Sequence, residues 1–178
     1  MKTLIQKIIL EEQRSFACRR YRTPNFETNW HKHEEYELIL ITEGHGTVMI
    51  GDYIGEYQTG DIYFLAGNLP HWFKKQHHKM TGCSLVVHFK KEILGNDFLE
   101  LPELKMVQQF LKKNDGIQIK PAFKKRLEPI ILNIEKHHGF ESLQLLLNCL
   151  QLLSTTPHYT ALTKNFALSN DNIDPAIE

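Results

Sequence analysis

The sequence predicts a mainly β domain followed by a C-terminal helical appendage, and three observations predict it. Between about Ser15 and Phe89, short runs of β-branched and aromatic residues alternate with glycine-containing turns. No helical pattern falls between these runs, which argues against a parallel α/β fold. From about Leu101 onward the apolar residues recur at helical spacing instead. The chain has 178 residues, 42% hydrophobic and 24% charged, enough for one sizeable core.

Candidate strands run from Phe16 to Tyr21, Glu35 to Thr42, Thr47 to Ile50, Tyr53 to Tyr57, Ile62 to Leu65 and Ser84 to Phe89. Gly44, Gly46, Gly51-Asp52 and Gly60-Asp61 supply turns between them. The strand from Glu35 to Thr42 is apolar on both parities, with Leu38 and Leu40 on one face and Ile39 and Ile41 on the other. Both faces must therefore be covered, which a sheet closed or folded on itself with helices outside achieves.

In the second half, Phe123, Leu127, Ile130, Ile131 and Ile134 mark one helix, which Pro129 is expected to start, kink or split. A second helix from Glu141 to Leu153 carries Leu143, Leu146, Leu147, Leu150 and Leu153 on one stripe, widened by Leu145, Cys149 and Leu152. An apolar surface this wide suggests two contacts, one with the strand domain and one with a second copy in a homodimer, against the alternative of a fully buried core helix. Ser169 to Asn172 read as a polar linker, and Asp174-Pro175 as an N-cap and first helical residue, so the chain stops where a helix begins. The expected organisation is a β-barrel over 1–100, helices over 101–168, and over 169–178 a linker leading to a further domain beyond Glu178.

Charge excludes some functions. Lys plus Arg equals Asp plus Glu at 21 each, and the pI is about 7.2, so this stretch lacks the basic character of a nucleic-acid binder. Cys18, Cys83 and Cys149 are odd in number and far apart, which indicates neither a disulfide framework nor a cysteine zinc site. No signal-peptide pattern and no apolar run of membrane-spanning length is present, so a cytoplasmic protein with no membrane partner is expected. GxSxG, GxxxxGK[ST] and GxGxxG are all missing from the sequence.

Seven of the ten histidines fall between His31 and His88. His31, His33 and Glu37 share a parity, so on a strand they project from one side, and His71 is expected from a neighbouring strand. Neutral imidazoles with one carboxylate suit a divalent metal such as zinc, iron, nickel or manganese. Direct ligand contact without a metal and structural hydrogen bonding are the alternatives. Trp30, Tyr36 and Trp72 flank the cluster and could wall a ligand pocket or simply fill core and rim. Arg20 and Arg22 share a parity and suit an anionic effector, or a solvated strand face.

His31-x-His33-xxx-Glu37, six residues and then Gly44 resemble the first cupin motif, and Gly60 with His71 eleven residues later resembles the second. The longer runs Asn29 to Leu38, Gly60-Asp61-Ile62 and Gly67 to Trp72 resemble the N-terminal effector domain of AraC-type (AraC/XylS) transcriptional regulators over nearly the whole chain. Ala66, Asn68 and Lys75 stand where metal-binding cupins usually carry Pro, Gly and often Asn. The resemblance implies a cupin barrel (a double-stranded β-helix, jelly-roll-like) followed by helices, sensing a small molecule such as a sugar or organic acid. It also implies helical dimerisation, no catalysis, no required cofactor, and DNA contact only through a domain beyond Glu178. The other readings are a small metal-dependent cupin enzyme, a dioxygenase or isomerase holding its metal on His31, His33, Glu37 and His71, and a plain binding module.

Overall fold

The computed structural model describes residues 3–10, 14–93, 95, 97–155 and 157–163. The strands of the first half are β1 (Leu4–Ile5), β2 (Phe16–Arg22), β3 (His31–Lys32), β4 (Tyr36–Glu43), β5 (His45–Ile50), β6 (Tyr53–Gln58), β7 (Ile62–Leu65), β8 (His71–Lys75) and β9 (Cys83–Phe89). Two short 3-10 turns then lead into α1 (Lys105–Lys113), followed by β10 (Gly116–Ile119), α2 (Pro121–Lys136), α3 (Gly139–Ser154) and β11 (Tyr159–Thr163). The expected linker over 169–178 lies outside the described residues.

Two sheets form, in the orders β1-β3-β8-β5-β6 and β11-β10-β7-β4-β9-β2. Among the described residues no ladder joins them, so the β structure is folded on itself as two facing sheets and is not closed into a barrel. One core lies between the sheets, where Ile39, Ile41, Tyr63, Leu65 and Val86 meet Val48, Ile50, Tyr57 and Phe73. A second lies under the helices, where Leu38, Leu40, Phe64, Leu85 and Val87 meet Phe110, Leu127, Ile131, Leu146 and Leu150. The double-sided strand β4 thus has the facing sheet on its odd side and the helical layer on its even side.

All six strands read from the sequence form, with ends within two residues of the expected ones. Four features differ. β10 and β11 arise in the stretch read as helical and extend the larger sheet beside β7. The short β3 and β8 also form, paired at His31 and His71. Gly46 is no turn but part of β5, where a Cβ would lie 2.0 Å from the Lys74 carbonyl oxygen. Pro129 sits inside α2 without splitting it. Proline removes one backbone bond, but Leu127, Ile131 and Ile134, all fully buried, anchor the helix on both sides of it.

The leucine stripe of α3 divides. Leu146, Leu150 and Leu153 are buried in the chain's own core. Leu143 and Leu147 are half-buried, and Leu143 packs against that same core.

Candidate functional site

His31, His33, Glu37 and His71 come together as the sequence implies, but along a different path. The chain leaves the smaller sheet after β3 and enters the larger one at β4, so His31 and Glu37 belong to facing sheets, not to one strand. Between the two sheets the crossover is held by the Asn68 amide, which donates to the His33 carbonyl at 2.6 Å. Gly67 permits that approach: a Cβ there would lie 2.2 Å from the Glu34 carbonyl oxygen. His71 arrives from β8, directly opposite His31.

Glu37 is the centre of the cluster. Its carboxylate lies 2.9 Å from His71 Nε2, 3.3 Å from His33 Nε2 and 3.4 Å from His88 Nε2, and all four groups are buried. The His31 and His71 rings are 4.3 Å apart at their centroids. His88 was not singled out from the sequence. It faces Glu37 across the β4 and β9 ladder, and the signal was a lone histidine in the apolar run Leu85-Val86-Val87-His88-Phe89.

Backbone carbonyls set the tautomers. The Nδ1 atoms of His31, His33 and His71 lie 2.8, 3.1 and 2.8 Å from the carbonyl oxygens of Asn29, Glu35 and Leu69. A carbonyl only accepts, so each Nδ1 donates its proton and a neutral ring turns an Nε2 lone pair inward. In those neutral tautomers His33 Nε2 and His71 Nε2 face Glu37 Oε2 with no proton to share, so none of the three atoms is satisfied. Lone pairs facing a carboxylate oxygen in a buried site call for a shared cation, either a second proton or a metal ion. Nitrogen and carboxylate donors meet within 4.8 Å in two overlapping sets, His31-His33-His71 and His33-Glu37-His88. The residues therefore fit a borderline divalent metal.

The electrostatics of the metal-free cluster agree. Burial pulls His31 down to about 4, helped by the neighbouring His71. Burial acts on His33 in the same sense, but the hydrogen bond and charge of Glu37 outweigh it and hold that ring above its ordinary value. For Glu37, burial favours the neutral acid, yet the charge of His71 and hydrogen bonds with His33, His71 and His88 keep it well below the usual carboxylate range. His31 takes up a proton on unfolding below pH 6.5 that the folded state resists until about 4, so it lowers stability as pH falls through that window. The low Glu37 value is likewise lost as a stabiliser in acid. His33 stabilises in full below its unfolded value and ceases to do so as pH rises through its raised one. After chelation, denaturant midpoints measured across pH are expected to peak near neutrality and fall on both sides. A midpoint that rises continuously into acid contradicts this arrangement.

The cavity beside the cluster is small, about 50 Å³, and is lined by His31, Glu37, His71, His88, Phe26 and Phe73 among others. Gln6 of the N-terminal segment also lines it, held there because its amide donates to Lys32 and that of Leu4 to Trp30, at 2.9 and 3.0 Å. The other expected pocket residues lie elsewhere. Tyr36 stacks on Phe64 and Phe89 at 5.7 and 5.4 Å, on the helical side of the larger sheet. Trp72 is half-buried beneath Lys74, whose Nζ is 5.0 Å from the ring centre, and Trp30 is half-buried before β3. Arg20 forms a two-pronged ion pair with Glu135 of α2 at 2.8 and 2.5 Å, and Arg22 pairs with Glu43 at 2.6 Å. Both guanidiniums already hold carboxylates of this chain.

The family model described as the AraC-like ligand binding domain matches residues 14–163. The chain belongs to this family. Among solved structures, the AraC-like domain is similar to ToxT from Vibrio cholerae O395, solved bound to (E)-4-(8-methylnaphthalen-1-yl)but-3-enoic acid, at 11% identity and TM-score 0.52, covering 93% of this chain and 68% of ToxT. It also matches the AraC-like transcriptional activator CuxR at 12% identity and TM-score 0.48, covering 68% of this chain and 41% of CuxR. A cupin 2 conserved barrel domain protein from Rhodopseudomonas palustris matches at 18% identity and TM-score 0.39, covering 46% of this chain and 57% of that one. The AraC-like domain thus spans about half the length of these last two proteins. The ToxT likeness shows the fold. A comparison with curated proteins gives no match. No helix among the described residues is long and apolar enough to cross a membrane.

Proposed function

We propose that this AraC-like ligand-binding domain is the non-catalytic sensing part of a cytoplasmic transcription regulator, binding a sugar or organic acid and carrying a divalent metal on its histidine cluster. The family match over residues 14–163 carries the reading. His31, His33 and His71 through Nε2, with the Glu37 carboxylate, hold the ion, and His88 lies within reach of the same carboxylate. In this role the ion supplies a fixed positive charge that ties the two sheets together at one end. A buried charge of this kind stabilises the folded state by mass action.

An enzyme reading draws on the same ligand set. It needs an open coordination position with room for substrate, and the cavity of about 50 Å³ holds little more than an ion and a water, far below the several hundred Å³ of small-molecule sites. The cavity size counts against a substrate at the cluster and equally against an effector seated there. Two copies associate through α3, to which Leu143 and Leu147 offer half-buried side chains, and DNA contact falls to a separate basic unit, in keeping with the balanced charge of this one.

Metal analysis of tag-free protein after supplementation is expected to find up to one equivalent per chain, lost in His31→Ala and His71→Ala. Sugars and organic acids are then screened for a rise in melting temperature, with metal and without, and sedimentation of the same samples reads the dimer. No rise from any compound in either state overturns the sensing reading.

A further inference from the structure

The four histidines around Glu37 are not equivalent. In His31, His33 and His71 a backbone carbonyl 2.8 to 3.1 Å away fixes the proton on Nδ1. In His88 the Nδ1 atom is buried and, among the described residues, has no partner, while Nε2 lies 3.4 Å from Glu37 Oε1. We propose that His88 is a positioning residue and not a ligand of the ion: it carries its proton on Nε2, donates it to Glu37 Oε1, and so turns the other carboxylate oxygen to the metal site.

A neutral imidazole holds its proton on one nitrogen or the other, and the surroundings of His88 distinguish the two. With the proton on Nδ1, a buried N–H lacks an acceptor and an Nε2 lone pair faces a carboxylate oxygen, so both nitrogens are unsatisfied. With the proton on Nε2, the ring donates to an ionised acceptor, the stronger kind of hydrogen bond, and only the Nδ1 lone pair goes unmet. A doubly protonated ring strands the same Nδ1–H. The comparison also argues against ligation. A ligating imidazole ordinarily passes its other N–H to a carboxylate, a carbonyl or water. His31, His33 and His71 meet that condition and His88 does not, although it forms one of the two donor sets with His33 and Glu37.

The two carboxylate oxygens divide accordingly. Oε2 faces His71 and His33 at 2.9 and 3.3 Å, and Oε1 faces His88. The donor stands on firm backbone. His88 pairs with Glu37 of β4 on one side and with Ala17 of β2 on the other, in a strand buried along its whole length. The other ladder neighbour of Glu37 is Leu65 of β7, whose side chain has no polar group, so the hold on Oε1 comes from β9. With Oε1 held, three imidazole nitrogens and one carboxylate oxygen are left for an ion, the donor count of closed structural zinc sites. This last step rests on the metal reading. The hydrogen bond itself does not.

The test has a metal-free and a metal-loaded arm, both on the whole chain. In the metal-free protein near neutral pH, nitrogen NMR of the imidazole rings is expected to show the His88 proton on Nε2 and the His31 proton on Nδ1, with His88→Gln assigning the His88 signals. In the second arm the affinity for cobalt(II), a visible stand-in for zinc, and its absorption spectrum are read per folded chain. His88→Leu removes the donor and leaves every proposed ligand, so it is expected to bind cobalt roughly 10- to 100-fold more weakly. His88→Gln, whose amide donates from about the same place, is expected to restore most of that affinity with the wild-type spectrum. Three results overturn the proposal. A His88 proton on Nδ1 does so with or without metal. Wild-type affinity in His88→Leu shows that the hydrogen bond positions nothing. A loss in His88→Gln as large as in His88→Leu removes the donor role, and an altered spectrum there makes His88 a ligand. Should His88→Leu not fold, the tautomer and the His88→Gln spectrum decide. If the wild-type chain takes up no cobalt while the His88 proton sits on Nε2, the metal reading fails and the hydrogen bond stands.

Discussion

Glu37→Ala is expected to lower the stability of the metal-free domain by about 3–5 kcal/mol, the usual cost of removing one partner from a buried charged network. For a chain of this size that is roughly 6–20 °C in melting temperature. The carboxylate is fully enclosed and lies within 3.4 Å of three imidazole nitrogens. Without it, His33 loses the partner that holds its proton, and His71 and His88 face a void with no anion. Glu37→Gln keeps the shape and one accepting oxygen, so its loss is expected to be smaller, while metal uptake falls in both. Thermal unfolding with and without metal checks this. A loss below about 1 kcal/mol in Glu37→Ala means that the carboxylate is not the centre of the network.

His31, His33, Glu37 and His71 were legible as a set. The single-strand alternation that selected the first three is not what brings them together, because His31 and Glu37 stand on facing sheets. His31, His33 and Glu37 share a parity, and the turns at Gly44 and Gly60 return the chain at the right distance for His71. The same rule, applied to one more residue, places Tyr36 on the opposite side with Leu38 and Leu40, where the structure has it. The change of sheet between His33 and Tyr36 was not legible. It depends on a single crossing point, made close by Gly67 and the Asn68 amide, and alternation does not record which ladder a strand joins. β10 and β11 were hidden for a related reason. Gly116–Ile119 and Tyr159–Thr163 are too short to show a period, and they are strands because β7 offers an edge to pair with. Arg20 and Arg22 look available in sequence, since Glu135 is 115 residues from Arg20 and only the packing of α2 on β2 brings it near.

Phe64→Ala separates the two layers of the molecule. Phe64 is fully buried on the helical side of β7, 5.7 Å from Tyr36 and 5.0 Å from Phe110 of α1 between ring centres. Its strand neighbours Tyr63 and Leu65 face the other way, into the core between the sheets. Truncating a buried phenylalanine costs about 3–5 kcal/mol, with the spread set by how far the site collapses. Here collapse is limited, because the flanking β4 and β10 strands are fixed by their ladders and α1 is a short helix wedged against α3. The expected result is a melting temperature lowered as far as in Glu37→Ala, with metal uptake per folded chain retained. The two variants therefore match in stability and differ in metal content. Loss of metal from a still-folded Phe64→Ala protein is the result that contradicts the separation, because it requires the helical layer to position the histidine cluster through the larger sheet.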